Sequence, residues 1–172
     1  MNEFARPIPL DTIGSAAKPF TVTATPGECA ALAARFGLEQ IDRLEAAVTL
    51  THDQAGYRAT GTVDADIVQT CAATFVPVPA SVTEPFTIRF VEDPTDGDAD
   101  EIELDADDCD TMSVDGQSID VGEAVAQTLA LALDPFPRAA GADQILAEAG
   151  VVADDDFVTG PFAALRGLIS KN

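Results

Sequence analysis

A long alternation of apolar and polar residues, from Tyr57 to Ile67, constrains the fold more than any other feature of the chain. The apolar set is Tyr57, Ala59, Gly61, Val63, Ala65 and Ile67, and the polar set is Arg58, Thr60, Thr62, Asp64 and Asp66. Because successive side chains of a strand point to opposite faces of a sheet, this run predicts a strand with one buried and one wet face. A shorter alternation over residues 44–51 precedes it, and residues 52–56 predict the turn between the two strands.

Further strands are predicted on both sides of this hairpin. A third run carries Val82, Phe86, Ile88 and Phe90 on one face, and residues 101–105 form a short fourth run. Because proline lacks a backbone donor, residues 77–79 (Pro-Val-Pro) predict a sheet edge or a connection rather than a central strand. Residues 7–10 and 20–25 predict two more edge strands.

Two helices have clear start and stop signals. Residues 25–28 read Thr-Pro-Gly-Glu, a capping box with proline at the first helical position. The apolar spacing from Cys29 to Phe36 then predicts a helix over 26–36, closed by Gly37. A similar start at residues 120–123 predicts a second helix over about 121–133, and weaker helical patterns follow near 142–149 and 162–169.

These elements predict an α+β fold. We expect a mainly antiparallel, curved sheet of about five to seven strands with two or three helices packed on it. The sequence leaves open whether the sheet closes into a barrel. Residues 1–138 are expected to form one domain with an acidic loop at about 92–116. Residues 139–172 are expected to form a partly helical extension, and the sequence leaves open whether it packs on the core.

Charge limits the classes of partner. The chain carries 30 acidic residues against 9 Lys plus Arg, a net charge of −21. Residues 92–172 hold most of this excess, with twenty acids and three bases. Proteins bind nucleic acids largely by neutralising phosphates, and the sequence shows no local basic patch. The acidity therefore indicates a role in solubility or a salty habitat, attraction to a basic partner protein, or both.

The cysteines and the chain ends predict the compartment. Three cysteines lie about forty residues apart, without the spacing of a metal or redox site. The N-terminus lacks the features of a signal peptide, and no apolar stretch is long enough to span a membrane. We therefore expect a cytoplasmic protein.

A search for catalytic chemistry finds little. The single histidine, His52, falls in the predicted turn and has no evident nucleophile partner. Residues 96–107 begin with the spacing of a calcium loop, but positions six, eight and twelve carry Glu101, Glu103 and Asp107 instead of the expected residues. We expect no catalytic residue, cofactor or metal site. Cys71 is interpreted either as a buried thiol at the end of a strand or as part of a binding surface.

An ordered set of short motifs resembles a known family. The residues that carry it are Gly61, Cys71, Thr74, Phe75, Pro77, Val78, Phe86, Phe90, Ile119, Asp120, Glu123, Leu129, Leu131 and Pro135. In this order, and with an acidic stretch over 92–110, they resemble the YceD family over most of the chain. Residues 134–138 and 161–165 resemble the corresponding pieces of alphaproteobacterial members. Many members carry a second cysteine where this chain has Thr74, so the chain lacks that motif's basis for a metal or disulfide role.

The resemblance implies participation in large-subunit ribosomal RNA synthesis, processing or accumulation. Together with the charge, it predicts a non-catalytic factor that acts through a basic ribosomal or RNA-processing protein, reaches ribosomal RNA indirectly or in a complex, and contacts neither DNA nor membranes. A generic acidic chaperone and a metal-dependent hydrolase built on the acidic cluster are the alternatives. The candidate interaction surface comprises Gln69, Thr70, Cys71, Thr74, Asp120, Glu123, Asp134, Pro135 and Pro137.

Overall fold

The computed structural model describes residues 3–53, 56–91, 110–114 and 116–151. In chain order its elements are β1 (Pro7–Pro9), a 3-10 turn (Leu10–Thr12), β2 (Lys18–Thr23), α1 (Pro26–Phe36), β3 (Gln40–Asp53), β4 (Gly56–Thr70), β5 (Pro77–Val91), β6 (Thr111–Ser113), β7 (Ser118–Asp120), α2 (Val121–Ala132) and α3 (Ala142–Glu148).

The main sheet has five strands in the order β2-β3-β4-β5-β6. Every pair is antiparallel except β5 with β6, which is parallel. The short strands β1 and β7 form a separate antiparallel pair. Within the described residues the outer strands β2 and β6 do not pair with each other, so the sheet is open. The predicted α+β fold with a mainly antiparallel sheet is confirmed.

The hairpin of β3 and β4 is longer than the sequence predicted. The predicted turn began at His52, but His52 is a strand residue that pairs with Tyr57, and their rings stack 4.4 Å apart. Asp53, also assigned to that turn, pairs with Gly56. The apolar alternation ends at Leu50, whereas backbone pairing needs no apolar side chain and continues beyond it. Residues 54 and 55 lie outside the described residues.

Strand β5 shows how proline fits into a sheet. Its first residues, Pro77 to Pro79, pair with the end of β4, and within the described residues nothing pairs with their outer side. The edge interpretation of this stretch is confirmed, although the segment is strand and not a connection. Odd-numbered residues of β5 direct their backbone groups away from β4, as the Arg89 N–H shows by donating to the Asp110 carbonyl at 2.8 Å. Proline at an odd position therefore costs no bond to β4.

One face of the sheet carries the core. The buried side chains of β3 and β4 are the inward set that the alternation predicted, among them Leu44, Val48, Val63 and Ile67. Both α1 and α2 pack on this face, and the buried residues of both helices belong to the same apolar cluster. The opposite face is polar, so the protein has two layers around one core.

The predicted helices are confirmed to within a residue at their ends. Thr25 and Glu28 form the reciprocal capping box of α1, and Gly37 ends that helix in the left-handed conformation at φ 68°. Helix α2 begins after Asp120, whose carboxylate accepts the Glu123 N–H at 3.1 Å. Close packing explains Gly122 in its first turn, because a Cβ there would overlap the backbone oxygen of the N-terminal segment.

Part of the predicted acidic loop is strand. Thr111–Ser113 forms β6, because the strand pairs in parallel with Arg89–Val91 at the end of β5. Three residues are too few for an alternation to reveal a strand. The predicted strand at 101–105, the calcium-like stretch at 96–107 and the helical pattern at 162–169 lie outside the described residues.

Candidate functional site

The nine candidate residues separate into two groups in space. Asp120 and Glu123 lie at the start of α2, and the other seven lie around its far end. Since α2 has twelve residues and an α-helix rises 1.5 Å per residue, about 18 Å separates the two groups. The structure therefore does not bring the nine residues together as one surface.

Asp120 and Glu123 are engaged within the protein. Besides capping α2, the Asp120 carboxylate accepts the backbone N–H of Arg6 at 2.8 Å. The Glu123 carboxylate accepts two hydrogen bonds from the Arg35 guanidinium, at 2.7 and 2.9 Å, which lower the pKa of Glu123. These contacts join the N-terminal segment and α1 to the start of α2. The geometry assigns both residues a structural role.

The other seven residues form one assembly, which we call the turn site. It consists of the end of β4 and the following turn (residues 69–76) and the segment after α2 (residues 133–139). The Gln69 amide donates to the Asp134 carbonyl at 2.9 Å, and the Ala72 N–H donates to the Pro137 carbonyl at 2.8 Å. Two stretches more than sixty residues apart are thus fixed against each other.

Local hydrogen bonds shape each half of the turn site. In the first half, the Cys71 N–H donates to the Val76 carbonyl at 2.8 Å, and the Phe75 N–H donates to the Cys71 carbonyl at 3.0 Å. In the second half, the Asp134 carboxylate accepts the Phe136 N–H at 2.9 Å, the bond of an Asx turn. The Asp-Pro-Phe sequence folds as a turn for this local reason.

Cys71 lies at the centre of the turn site. Its side chain has no exposed surface, and its sulfur accepts the Ala139 N–H at 3.3 Å. The neighbouring Thr74 hydroxyl, together with backbone N–H groups, lowers the pKa of the Cys71 thiol to about 6. The Thr74 oxygen is itself buried and reaches no partner in good hydrogen-bond geometry within the described part of the chain. A thiolate would supply the acceptor that this hydroxyl lacks.

The structure also shows what activates the Cys71 thiol. Hydrogen-bond donors of the turn lower the pKa of the thiol without a cation. Burial opposes this effect, because desolvation disfavours the charged form. The interpretation of Cys71 as a buried thiol at the end of a strand agrees with its burial. Its contacts show that it also holds the two halves of the turn site together.

A groove runs beside the turn site. Its volume is about 370 Å³, and it opens between the end of α1, the end of β4 and the segment after α2. The residues that line it include Leu38, Thr70, Leu133, Pro135 and Pro137. The Thr70 hydroxyl donates to the Glu39 carboxylate at 2.8 Å, which places an acidic side chain at this end of the sheet.

Two surface features, one at the turn site and one toward the opposite end of β4, escaped the sequence prediction. Phe75 and Phe136 are 80% and 73% exposed, although isolated aromatic residues in a sequence are usually assigned to the core. On the polar face of the sheet, Arg58 lies directly opposite Arg89, and Arg58 also pairs with Asp53 at 4.0 Å. Only strand register reveals this pair of cations, since the two arginines are far apart in the sequence.

The fold and the site together define a two-layer α+β protein with a rigid turn site at one end of its open sheet. None of the helices in the described ranges is long and apolar enough to cross a membrane. The family described as "Large ribosomal RNA subunit accumulation protein YceD" matches residues 59–169, more than half of the chain, and the protein belongs to this family. This confirms the resemblance found in the sequence. No curated protein and no solved structure matches the chain.

The family match treats the two groups of candidate residues differently, because it includes the residues that hold one group together and not the arginines that hold the other. The whole turn site lies inside residues 59–169. Arg6 and Arg35, which hold Asp120 and Glu123, lie outside the match, as do β1, β2, α1 and β3. All nine candidate residues therefore lie within the family region, but only the turn site also has there the hydrogen bonds that join its two halves.

Proposed function

We propose that this protein is a non-catalytic, cytoplasmic factor in the synthesis, processing or accumulation of large-subunit ribosomal RNA, and that it acts through a basic protein partner. The family match over residues 59–169 carries the link to ribosomal RNA. The basic partner follows from the charge of −21.

The charges of the described residues support a protein partner over bare RNA. The guanidinium groups of Arg6, Arg35, Arg43, Arg58 and Arg138 each have a carboxylate oxygen within 4.0 Å. Their positive charge is already compensated inside the protein, and the acidic excess remains. A partner with an excess of Lys and Arg would be attracted, and complementary charge would speed its encounter more than it raises affinity.

Binding rather than catalysis accords with the described side chains. Among residues 3–53, 56–91, 110–114 and 116–151, no three His, Cys, Asp or Glu side chains are grouped so that they could hold a metal ion. The His52 ring is exposed and stacked on Tyr57, away from the turn site. A metal-dependent hydrolase would have to use the acidic stretch at 96–107, outside these ranges.

Pull-down of the tagged protein from lysate at low and moderate salt tests the proposal, with bound protein and bound RNA both identified. We expect large-subunit precursor RNA together with one or two basic ribosomal or processing proteins. The association rate with the purified partner should fall at least tenfold between about 0.05 and 0.5 M salt, because the Debye length shortens over that range. A rate that ignores salt would contradict the electrostatic part of the proposal.

Other results would favour the alternatives. Recovery of many unrelated basic proteins that are all released together as salt rises would indicate a generic acidic chaperone. Tight, stoichiometric binding of calcium or magnesium in calorimetry would favour the metal-dependent enzyme. Recovery of precursor RNA with no protein would indicate direct RNA contact.

A further inference from the structure

The turn site exposes two large aromatic side chains that the protein core does not use. Phe75 is 80% exposed and Phe136 is 73% exposed, although the chain contains only nine phenylalanines and no tryptophan. The segments that carry them are hydrogen-bonded to each other through the Ala72 N–H and the Pro137 carbonyl. The chain segments that carry the two exposed rings are thus fixed to each other by a backbone hydrogen bond.

The backbone conformation of Phe75 is a second sign that its exposed side chain belongs to a binding site. Its φ is 59°, and within the described residues it is the only non-glycine residue with a positive φ. This conformation disfavours an L-residue, and a bulky one is a genuine outlier there. An exposed side chain gains no burial to offset that strain. Strained backbone that carries an exposed apolar group is characteristic of binding sites.

The groove of about 370 Å³ is lined by the same chain segment that carries Phe136, but not by the Phe136 ring itself. Its lining residues Pro135 and Pro137 flank Phe136 in the chain, and Leu133 lines the same groove. The groove thus continues the apolar surface of the turn site with a hollow that can receive a side chain. Aromatic residues around a pocket are typical of the few positions that dominate protein interfaces.

Two acidic side chains lie at this apolar surface. Glu39 is fixed at its edge by the Thr70 hydroxyl, and Asp134 belongs to the groove itself. The nearby cation Arg138 already faces Asp143, with 3.4 Å between nitrogen and oxygen. The matching surface on a partner is therefore apolar at its centre and basic around it.

We propose that the turn site docks a basic protein segment, with apolar side chains of that segment in the groove and on Phe75 and Phe136, and with its Lys or Arg residues toward Glu39 and Asp134. This inference rests on the proposed function and adds to it the place and the chemistry of the contact. The inference also explains the strained backbone at Phe75 and the hydrogen bond to Cys71, because both fix the segments that carry the Phe75 and Phe136 rings.

Purified full-length protein and two labelled synthetic peptides test the docking surface by fluorescence anisotropy. One peptide is a Lys/Leu amphipathic helix, and the other has the same charge with serine in place of leucine. We expect the wild type to bind the Lys/Leu peptide at least tenfold more tightly than the Lys/Ser peptide, because aromatic anchors carry most interface energy. Phe75→Ser combined with Phe136→Ser should abolish that difference and leave Lys/Ser binding unchanged.

A matched control separates this surface from exposed apolar residues in general. Leu131 is 84% exposed and lies on α2, where it lines a different hollow beside β5 and β6. Leu131→Ser should retain the preference for the Lys/Leu peptide. The single variant Phe136→Ser, which leaves the strained turn intact, guards against a folding defect in the double variant. Equal binding of both peptides by the wild type, or an unaltered preference in the double variant, would overturn the inference.

The same variants separate failure of the docking surface from failure of the proposed function. If the wild type recovers precursor RNA with a basic protein, and the double variant recovers them equally well, the docking surface is wrong and the proposed function stands. If the wild type recovers neither, the proposed function fails, while the peptide experiment still decides the surface. A wild-type dimer that the double variant converts to a monomer in sedimentation would mean that a second copy covers the site, which overturns the basic-segment inference.

Discussion

Replacement of Glu28 by glutamine tests how the N-terminal segment is fastened to the core. The Glu28 carboxylate accepts two hydrogen bonds from the Arg6 guanidinium, at 2.7 and 2.9 Å, and the Thr25 N–H at 2.7 Å. These bonds lower the pKa of Glu28 to about 2, with the hydrogen bond from Arg6 the largest cause. The variant Glu28→Gln loses the charge that makes these bonds strong and should be less stable at neutral pH.

The structure sets the size and the pH dependence of this effect. A fall in pKa from 4.5 to about 2 corresponds to about 3 kcal/mol, and the 23% exposure of the Glu28 side chain reduces this to about 1–2 kcal/mol. A carboxyl whose pKa is lowered by folding stabilises fully above its unfolded pKa and loses that effect as pH falls through its folded pKa. The gap between wild type and variant should be constant above about pH 5 and shrink toward about pH 2.

Urea denaturation across this pH range measures the gap. Glu84→Gln serves as the control, because the Glu84 side chain is exposed and makes no hydrogen bond or ion pair within the described residues. We expect this change to alter stability by less than about 0.5 kcal/mol. A variant as stable as the wild type at neutral pH would refute the stabilising role of the pair. A gap that stays constant down to about pH 2 would refute its electrostatic origin.

Three further predictions concern single positions. Gly122→Ala should destabilise the protein by more than about 2 kcal/mol in thermal unfolding. Gly27→Ala, where a Cβ meets nothing within 4 Å, should be neutral or slightly stabilising. Equal effects of the two substitutions would contradict the close packing at Gly122. Thr74→Val should raise the pKa of Cys71 above about 6 in a thiolate absorbance titration, and an unchanged titration would show that the hydroxyl has no part in it. Phe75→Gly should raise the free energy of unfolding by up to about 1 kcal/mol in urea denaturation, because it relieves the strain of the left-handed backbone at Phe75. A clear loss of stability would mean that contacts of the Phe75 ring stabilise the turn.

The sequence alone predicted the helices and strands whose formation depends on residues close together in the chain. The capping box before α1, its apolar face and the alternation of β4 gave these elements nearly the observed bounds, since caps and side-chain periodicity are local properties. The ends of the hairpin were misplaced because backbone pairing, unlike side-chain patterning, extends past the last apolar residue. The parallel strand β6 was missed because three residues carry no pattern.

The candidate site was predicted only in part. A family resemblance in the sequence pointed to Cys71, Thr74 and Asp134, and the structure shows how the two chain segments that hold them come together. It also separates Asp120 and Glu123 from that assembly by the length of α2. The exposed phenylalanines carry no sequence signal, because whether an apolar residue is covered depends on what folds over it.

By itself, the sequence determined the class of fold, the acidic character and the family, since each of these depends on composition, on periodicity or on motifs in order. Only the tertiary structure decided which distant residues meet at the turn site. It also decided that hydrogen bonds, and not cations, lower the pKa of Cys71, and that Phe75 and Phe136 face outward. The hydrogen bonds that join the two halves of the turn site link segments more than sixty residues apart, and no local pattern records which segments will touch.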